Sequence, residues 1–207
     1  MFSIDEHKDY THRTVGRRVF LAGMGAAALG LVWSYFDKRQ AVSAEAAPAG
    51  PPKIVKMVEF TDAGERKDVV TVAMIVKSDA QWRKQLSADQ FEITRRAGTE
   101  RPYSGDNLDA HDKGVFRCVC CDTALFDSST KFESGTGWPS FWAPIAKDNV
   151  LETTDSSLGM LRTEVSCRLC AAHLGHVFDD GPPPTGLRYC MNSLALRFAK
   201  AAQGFSG

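Results

Sequence analysis

The chain has 207 residues, of which 43% are hydrophobic and 24% are charged. This composition is that of an ordinary globular protein, and it excludes wholesale disorder and a collagen-like or coiled-coil chain. The 25 basic residues balance 25 acidic ones, so the chain lacks the surplus of Lys and Arg that a nucleic-acid-binding surface needs. Its six cysteines are too few for a disulfide-stabilised miniprotein but are too regularly spaced for chance.

Residues 1–44 have the three-part composition of an export signal. The polar start carries Arg17-Arg18, which resembles a twin-arginine signal, and the apolar run Leu21–Phe36 is short for a membrane span. We therefore expect export of the folded chain to the periplasm, with cleavage near the end of this segment. An uncleaved membrane anchor is the alternative, and this segment is the only membrane contact that the sequence predicts.

The next stretch predicts a linker and a hairpin. Residues 45–53 are rich in Ala and Pro, which favours an extended linker. Ile54–Phe60 and Val69–Val76 are rich in β-branched residues and flank a turn-prone segment, so they predict two paired strands. We assign this hairpin to an N-terminal extension over 54–80, outside the main domain.

Two serines mark the starts of two short helices. Ser78 is positioned to cap a helix over Asp79–Leu86, and Ser87 to cap a helix over Ala88–Arg96. Such caps satisfy backbone N–H groups that the first helical turn leaves without partners. Short helices are therefore expected immediately after the hairpin.

The rest of the chain predicts a mainly β domain over 81–200, followed by a tail at 201–207. From Gly114 onward, short apolar stretches alternate with frequent Gly and Pro residues, and helical periodicity is weak. Leu187–Phe198 alternates as a strand does, which would place Cys190 and its second neighbours on one face.

Two CxxC pairs predict a structural zinc site. They are Cys118–Cys121 and Cys167–Cys170. Each spacing lets two thiolates converge, and four thiolates complete a tetrahedral shell that leaves no position for a substrate. We therefore expect one structural zinc ion per chain. Disulfides are the alternative in an oxidising compartment, but a chain that folds before export can load zinc in the reducing cytoplasm.

Two cysteines remain outside these pairs. Cys120 is either an inert filler beside the metal or a spare thiol. Cys190 stands alone between Arg188 and Asn192, and on a strand Arg188 would share its face and favour the nucleophilic thiolate. A small buried cysteine with only a packing role is the alternative for Cys190.

Two further segments carry candidate site residues. His173 and His176 follow the second cysteine pair, and histidines there can orient a site and move protons. Substitution of His173 for a zinc-binding cysteine and simple burial in the core are the alternatives. The glycine-rich loop around Trp138 can hold a flat aromatic wall against a methyl group, or its aromatics can pack in the core.

Three segments together resemble the methionine-R-sulfoxide reductases of the B type. They are CVCCDTALF at 118–126, GTGWPSFW at 135–142 and CRLCAAHLGHVFDDGPPPTGLRYCMNSLALRF at 167–198. The resemblance extends over roughly Trp82–Phe198. It implies a small β barrel of two antiparallel sheets with a four-cysteine zinc site at one end. It also implies reduction of the R epimer of methionine sulfoxide in proteins.

The resemblance also implies a role for individual residues. Cys190 corresponds to the nucleophile that attacks the sulfoxide sulfur and becomes a sulfenic acid, and His176 to the acid that protonates the departing oxygen. The other corresponding residues are His173 and Asn192 in the polar ring, Trp138 as the wall for the ε-methyl group, and Arg188, Asp180 and Phe178 in support.

The chain departs from the family at one position. Many members carry a resolving cysteine where this chain has Thr136. The sulfenic acid is then reduced directly by an external thiol, for which a thioredoxin-like protein is expected, or it is resolved by Cys120.

A non-catalytic binding module is the rival function, because the same zinc-stabilised β architecture with an aromatic pocket can hold a ligand without turning it over. Such a module does not need Cys190 with His176 and Asn192 beside it. We expect oxidised proteins as substrates, no nucleic-acid partner, and a monomer.

Overall fold

The structure is a computed structural model, and it describes residues 51–156 and 161–202. The expected export signal lies outside the described residues, as do most of the linker and most of the C-terminal tail. The described part is mainly β, as predicted, with antiparallel sheets and two short α-helices. None of its helices is long and apolar enough to cross a bilayer.

The first two strands form a separate hairpin. Strand β1 is Ile54–Phe60 and strand β2 is Arg66–Ala73. The second strand begins and ends three residues earlier than its composition predicts, because its pairing with β1 runs from Arg66, opposite Phe60, to Ala73, opposite Ile54. The register shifts between Val58 and Phe60.

The hairpin is attached to the main domain through the buried side chain of Asn149. Its Oδ1 accepts the N–H of Val58, and its Nδ2 donates to the carbonyls of Val58 and Ala124, all at 2.8 Å. The backbone N–H of Ile75 donates to the carbonyl of Leu169, between the second pair of cysteines. The hairpin therefore packs beside the cysteine pairs.

Both expected helices form. Helix α1 is Asp79–Gln85 and helix α2 is Ala88–Arg96. Ser78 and Ser87 each complete a capping box with a glutamine three residues later, which satisfies two backbone N–H groups at each start. Each helix buries an aromatic side chain against the domain, Trp82 in α1 and Phe91 in α2.

The main domain contains two antiparallel sheets. The six-stranded sheet has the order β5 (Lys131–Phe132), β6 (Ser140–Phe141), β10 (Arg188–Met191), β9 (His173–Phe178), β8 (Arg162–Cys167) and β7 (Val150–Asp155). The three-stranded sheet has the order β11 (Leu196–Lys200), β3 (Gly114–Cys118) and β4 (Ala124–Asp127). Two antiparallel sheets were expected, and this prediction is confirmed.

The predicted barrel of two antiparallel sheets is an open one in the part of the chain that the structure describes. There, no strand of the six-stranded sheet pairs with a strand of the three-stranded sheet. The chain passes between the sheets through a 3₁₀ helix at Ser193–Ala195 instead. That crossing also corrects the expected single strand over Leu187–Phe198, since Asn192 lies between β10 and the 3₁₀ helix and belongs to no strand.

Aromatic side chains fill the space between the two sheets. Phe116 and Phe126 extend from the three-stranded sheet, and Phe141 and Tyr189 from the six-stranded one. Phe126 stacks on Phe141 with ring centroids 4.4 Å apart, and Phe116 meets Phe141 edge-on at 4.9 Å. Because Tyr189 and Met191 face this core, Cys190 faces the other side of the sheet.

Candidate functional site

The four cysteines of the CxxC pairs converge on one point. Their sulfur atoms all lie within 4.8 Å of one another. The Sγ atoms of Cys118 and Cys170 are 3.7 Å apart, and those of Cys121 and Cys167 are 3.5 Å apart. Sulfurs bound tetrahedrally at the usual zinc–sulfur distance are separated by about 3.8 Å. The cluster therefore fits a zinc ion, and all six cysteines are free of disulfides.

The two cysteine pairs have the same local backbone. In the first, the N–H of Asp122 donates to the carbonyl of Cys118, and in the second that of Ala171 donates to Cys167. Asp122 and Ala171 both take left-handed conformations, with φ of 64° and 53°. Each pair thus forms the same tight turn, which directs two thiols to one side. The structure brings together the four residues that spacing predicted, and His173 is not among them.

Cys190 lies on β10 of the six-stranded sheet, outside the four-cysteine cluster. Its neighbours across the sheet are Ser140 on β6 and His176 on β9. It lines a cavity of about 160 Å³. The lining residues are Thr99, Trp138, Arg162, Gly175, His176, Phe178, Cys190, Met191 and Asn192. Gly175 has to be glycine here, because a Cβ atom would lie 2.1 Å from the carbonyl oxygen of Cys190.

A chain of hydroxyl groups borders the Cys190 sulfur. Thr136 Oγ1 lies 4.0 Å from Sγ and 2.8 Å from Ser134 Oγ. Ser140 Oγ donates to the Ser134 oxygen, also at 2.8 Å. Thr136 therefore occupies the position where a resolving cysteine was considered, and it offers Cys190 a hydrogen bond instead of a second thiol.

The surroundings of Cys190 act in opposite directions on its thiol. Burial raises the pKa of Cys190, whereas Arg188, Thr136 and Ser140 lower it by favouring the thiolate. Burial is the larger effect, so the net pKa is raised. The expectation that Arg188 favours the thiolate is correct in direction, but the guanidinium does not offset the burial.

Arg188 is held in place by two contacts. Asp180 accepts two hydrogen bonds from its guanidinium, both at 2.8 Å, and the ring of Phe178 lies 4.5 Å below it. The Arg188 contact lowers the pKa of Asp180. These residues support the cationic group beside the thiol, which is the arrangement that the resemblance implied.

The two histidines occupy different positions. His176 lines the cavity, and its Nε2 lies 2.8 Å from Asp155 Oδ2. Burial lowers the pKa of His176, against the opposite effect of Asp155. His173 is 4% exposed, and its Nδ1 lies 2.7 Å from Glu164 Oε1. It lies behind His176, with ring centroids 5.4 Å apart.

Trp138 and Asn192 form parts of the cavity wall. The indole Nε1 of Trp138 donates to the carbonyl of Glu100 at 3.2 Å. Both polar atoms of the Asn192 amide are engaged, since its Nδ2 donates to the carbonyl of Leu174 and its Oδ1 accepts the N–H of Glu100. Asn192 thus fixes the backbone around the cavity as well as lining it.

Cys120 lies among the metal-binding cysteines. It is buried, and the sulfurs of Cys118 and Cys170 are within hydrogen-bonding reach. The cavity is distant, because Cys190 pairs with His176, which lies about 10 Å along β9 from the strand end nearest the cluster. A disulfide needs Cα atoms within about 7 Å. Cys120 and Cys190 make no contact with each other among the described residues, and resolution of the sulfenic acid by Cys120 stays a prediction.

Several residues at the site were missed by sequence reasoning. They are Thr99, Glu100, Ser134, Ser140, Asp155, Arg162, Glu164 and Gly175. Ser140 lies inside the motif GTGWPSFW at 135–142, so that motif could have indicated it as a site residue. The carboxylates on β7 and β8 carry no local signal, because only the strand register brings them to the histidines.

The fold and the two cysteine sites define a β protein with a four-cysteine cluster that fits a metal ion and, apart from it, a single thiol in a small cavity. Residues 86–200, more than half of the chain, match the sequence model of the SelR domain. The chain belongs to the SelR family, which confirms the family expected from the sequence. The match begins after β1, β2 and α1.

Curated relatives cover the same region. A "Peptide methionine sulfoxide reductase MsrB" of Herminiimonas arsenicoxydans is 56% identical over 124 residues, which is 60% of this chain and 90% of the relative. That of Hahella chejuensis is 55% identical over 127 residues, 61% of this chain and 91% of the relative. That of Pseudomonas putida W619 is 56% identical over 124 residues, 60% and 93% respectively.

Proposed function

We propose that this chain is a peptide-methionine (R)-S-oxide reductase, which returns oxidised methionine residues in proteins to methionine. The observation that carries the proposal is the Cys190 thiol in a cavity bordered by Trp138, His176 and Asn192. The names of relatives that are more than half identical to the chain support it. A non-catalytic binding module would not need a thiol with an imidazole and an amide beside it.

In the proposed reaction, the Cys190 thiolate attacks the sulfoxide sulfur. This attack forms a bond between the two sulfurs while the sulfoxide oxygen takes up a proton. The resulting hydroxyl group moves to the cysteine sulfur as the bonds from the substrate sulfur to oxygen and to Cys190 break, so the substrate leaves as methionine and Cys190 becomes a sulfenic acid. The cysteine sulfur is oxidised by two electrons and the substrate sulfur is reduced by two. His176 is the proposed proton donor, because its imidazole lines the cavity beside Cys190.

The indole of Trp138 supplies the apolar wall for the ε-methyl group, and Asn192 fixes the backbone behind Cys190. His173 has a supporting role in the proposal, since it packs behind His176 and is bound by Glu164. Arg188, held by Asp180 and Phe178, stabilises the thiolate.

Regeneration requires an external dithiol, for which we propose a thioredoxin-like protein. One thiol of the reductant condenses with the sulfenic acid and releases water, and the second thiol displaces Cys190 from the mixed disulfide. Two observations support direct reduction. Thr136 places a hydroxyl group, and not a second thiol, near Cys190. Cys190 also lies roughly 10 Å along β9 from the strand end beside the cluster, where Cys120 lies.

We propose that the four-thiol cluster binds zinc. Bound zinc would link β3 to β8 and contribute folding free energy without taking part in the reaction, since four thiolates complete its coordination. One equivalent of zinc in the purified protein, retained by Cys190→Ser, is the expected result of metal analysis.

Export through the twin-arginine route to the periplasm is also proposed, on the sequence of residues 1–44 alone. The chain would act there as a monomer in the repair of oxidised proteins. Replacing Arg17 and Arg18 with lysines should leave the protein in the cytoplasm, and cell fractionation would show this. Periplasmic recovery of that variant would contradict the proposed route.

The test of the reaction uses a peptide that carries methionine-R-sulfoxide and, as a control, the same peptide with the S epimer. The wild-type chain should reduce only the first, and Cys190→Ser should reduce neither while keeping its metal and its folded spectrum. Reduction of the R epimer by Cys190→Ser would reject the nucleophile. Binding of the peptide without turnover by the wild type would favour the non-catalytic module.

A further inference from the structure

Glu100 is a buried acidic residue in the irregular segment that follows α2. Only 7% of its surface is exposed, and it is not itself among the residues that line the cavity. A buried carboxylate is costly unless hydrogen bonds stabilise it. Its partners therefore indicate what it does.

The carboxylate of Glu100 binds the backbone just beyond Cys190. Its Oε1 accepts the N–H of Ser193 at 2.6 Å, and its Oε2 accepts the N–H of Leu194 at 2.9 Å. These are the first two amides of the 3₁₀ helix at Ser193–Ala195, and Asn192 at its start makes no side-chain capping bond. Glu100 replaces that cap from a segment more than 90 residues away in sequence.

The backbone of the same residue holds two cavity walls. Its N–H donates to Asn192 Oδ1 at 3.0 Å, and its carbonyl accepts the indole N–H of Trp138 at 3.2 Å. Trp138 lies on the loop before β6, and Asn192 follows β10. One residue thus connects the apolar wall of the cavity to the segment that follows the nucleophile.

This arrangement determines a distance that matters for the reaction. The sulfoxide has to lie between the Trp138 indole and the Cys190 sulfur, and a misplacement of about 1 Å at such a site can cost roughly 100-fold in rate. An ionised carboxylate between two backbone N–H groups is a stiff connection, because charge-assisted hydrogen bonds are stronger than neutral ones.

We propose that Glu100 is a positioning residue for methionine-sulfoxide reduction, which sets the spacing between the Trp138 wall and the Cys190–Asn192 segment. The inference rests on the proposed function. Burial raises the pKa of Glu100 and its two backbone partners lower it, which agrees with a carboxylate whose ionised form depends on those partners.

Asn107 provides a matched control. Its Nδ2 donates to the carbonyls of Ser193 and Leu196, both at 3.0 Å, so it binds the 3₁₀ helix and the first residue of β11. Its side chain binds only these two residues among those that the structure describes, whereas the hydrogen bonds of Glu100 extend to Trp138 and Asn192. Removing either side chain deletes two hydrogen bonds to the segment from Ser193 to Leu196, but only Glu100 connects that segment to the cavity walls.

The experiment compares Glu100→Gln, Glu100→Ala and Asn107→Ala in the full chain, with kcat and KM measured on the methionine-R-sulfoxide peptide. We expect kcat/KM to fall about 10-fold in Glu100→Gln and about 100-fold in Glu100→Ala, and to change less than 2-fold in Asn107→Ala. Metal content and thermal unfolding are measured for each variant. Equal losses in the Glu100 and Asn107 variants would overturn the proposal.

A second readout is independent of catalysis. Acrylamide quenching of Trp138 emission, taken as the difference between each protein and its Trp138→Phe form, should increase in the Glu100 variants and not in Asn107→Ala. If Glu100→Gln does not fold while Asn107→Ala does, Glu100 serves folding and the proposal is wrong. An inactive wild type would instead reject the proposed reaction.

Discussion

At the metal cluster the four sulfur atoms face one another, whereas at the cavity Cys190 faces hydroxyl groups, a guanidinium and an imidazole. The cluster is built from two copies of one tight turn, each within a few residues of sequence. The cavity draws on the loop before β6, on β8, β9 and β10, and on the segment after α2. Four converging sulfurs fit a metal ion, whereas the Cys190 sulfur lies outside that cluster and lines a cavity.

The six-stranded sheet connects the two regions and holds them apart. Strand β9 starts beside the cluster and passes the cavity about 10 Å further along. Loss of a cluster thiol should therefore destabilise the fold and so disturb the cavity, whereas substitutions in the cavity should leave the cluster intact. Each of the following predictions tests one side of that asymmetry.

The largest effect is expected from a cluster variant. Cys167→Ala removes a thiolate and leaves three, so the protein should lose its metal, lower its melting temperature sharply and lose activity together. Metal analysis and thermal unfolding measure this, with Cys190→Ala as the matched control. A Cys167→Ala protein with normal stability would show that the cluster is not structural.

His176→Ala should impair the reaction in the cavity and leave the cluster intact. Loss of the proposed proton donor should lower kcat by about 10²- to 10⁴-fold with unchanged metal content. The control is His111→Ala, because that histidine is exposed and lies beside Glu133. Wild-type turnover in His176→Ala would assign the proton to another group.

Arg188→Met should make the thiol less reactive. The guanidinium lowers the pKa of Cys190, so its removal raises that pKa further. The thiolate then forms only at higher pH. We expect alkylation at pH 8 to slow by roughly tenfold, which corresponds to one pH unit. Iodoacetamide labelling followed by peptide mapping measures it, and the exposed Arg197→Met serves as control. An alkylation profile identical to wild type would remove Arg188 from this role.

Thr136→Val should have a smaller effect on the same sulfur. The substitution keeps the shape of the side chain and removes the hydroxyl at 4.0 Å from Sγ, so kcat/KM should fall by about threefold to tenfold, the effect of one hydrogen bond. Steady-state kinetics measure this against Thr153→Val, which changes an exposed threonine on β7. A gain in rate would mean that the hydroxyl hinders the thiol.

Cys120→Ser should change turnover least. Because its sulfur lies at the cluster, activity with a thioredoxin-type reductant should stay within twofold of wild type. A sulfenic-acid trap and peptide mapping after one turnover should find the modification on Cys190 alone. Detection of a Cys120–Cys190 disulfide would instead show that the two regions exchange electrons.

Much of this site was predictable because its parts are local or belong to a distinctive motif. The CxxC spacing alone indicated the four metal ligands, since both partners of each pair lie on one turn. Cys190, Trp138 and His176 came from motifs with unusual residue order. The helices followed from Ser78 and Ser87, whose caps depend only on the next three residues.

The errors arose where distant segments meet. The sequence did not show that the barrel is open, because a 3₁₀ crossing and not paired edges joins the two sheets. Asn192 was placed on a strand by alternation, but its backbone N–H and its amide bind Leu174 and Glu100 and end the strand. Asp155 and Glu164 were missed because strand register alone brings them to the histidines.

The sequence by itself therefore determined which four sulfurs form a cluster, which sulfur stands apart as the candidate nucleophile and to which family the chain belongs, since these depend on spacing over a few residues and on specific motifs. Only the tertiary structure decided what surrounds each sulfur. The pKa of Cys190 depends on burial, and the positions of Trp138 and Asn192 depend on a buried glutamate that is remote from both in sequence. Burial and cross-strand contact are properties of the folded chain, and no local pattern encodes them.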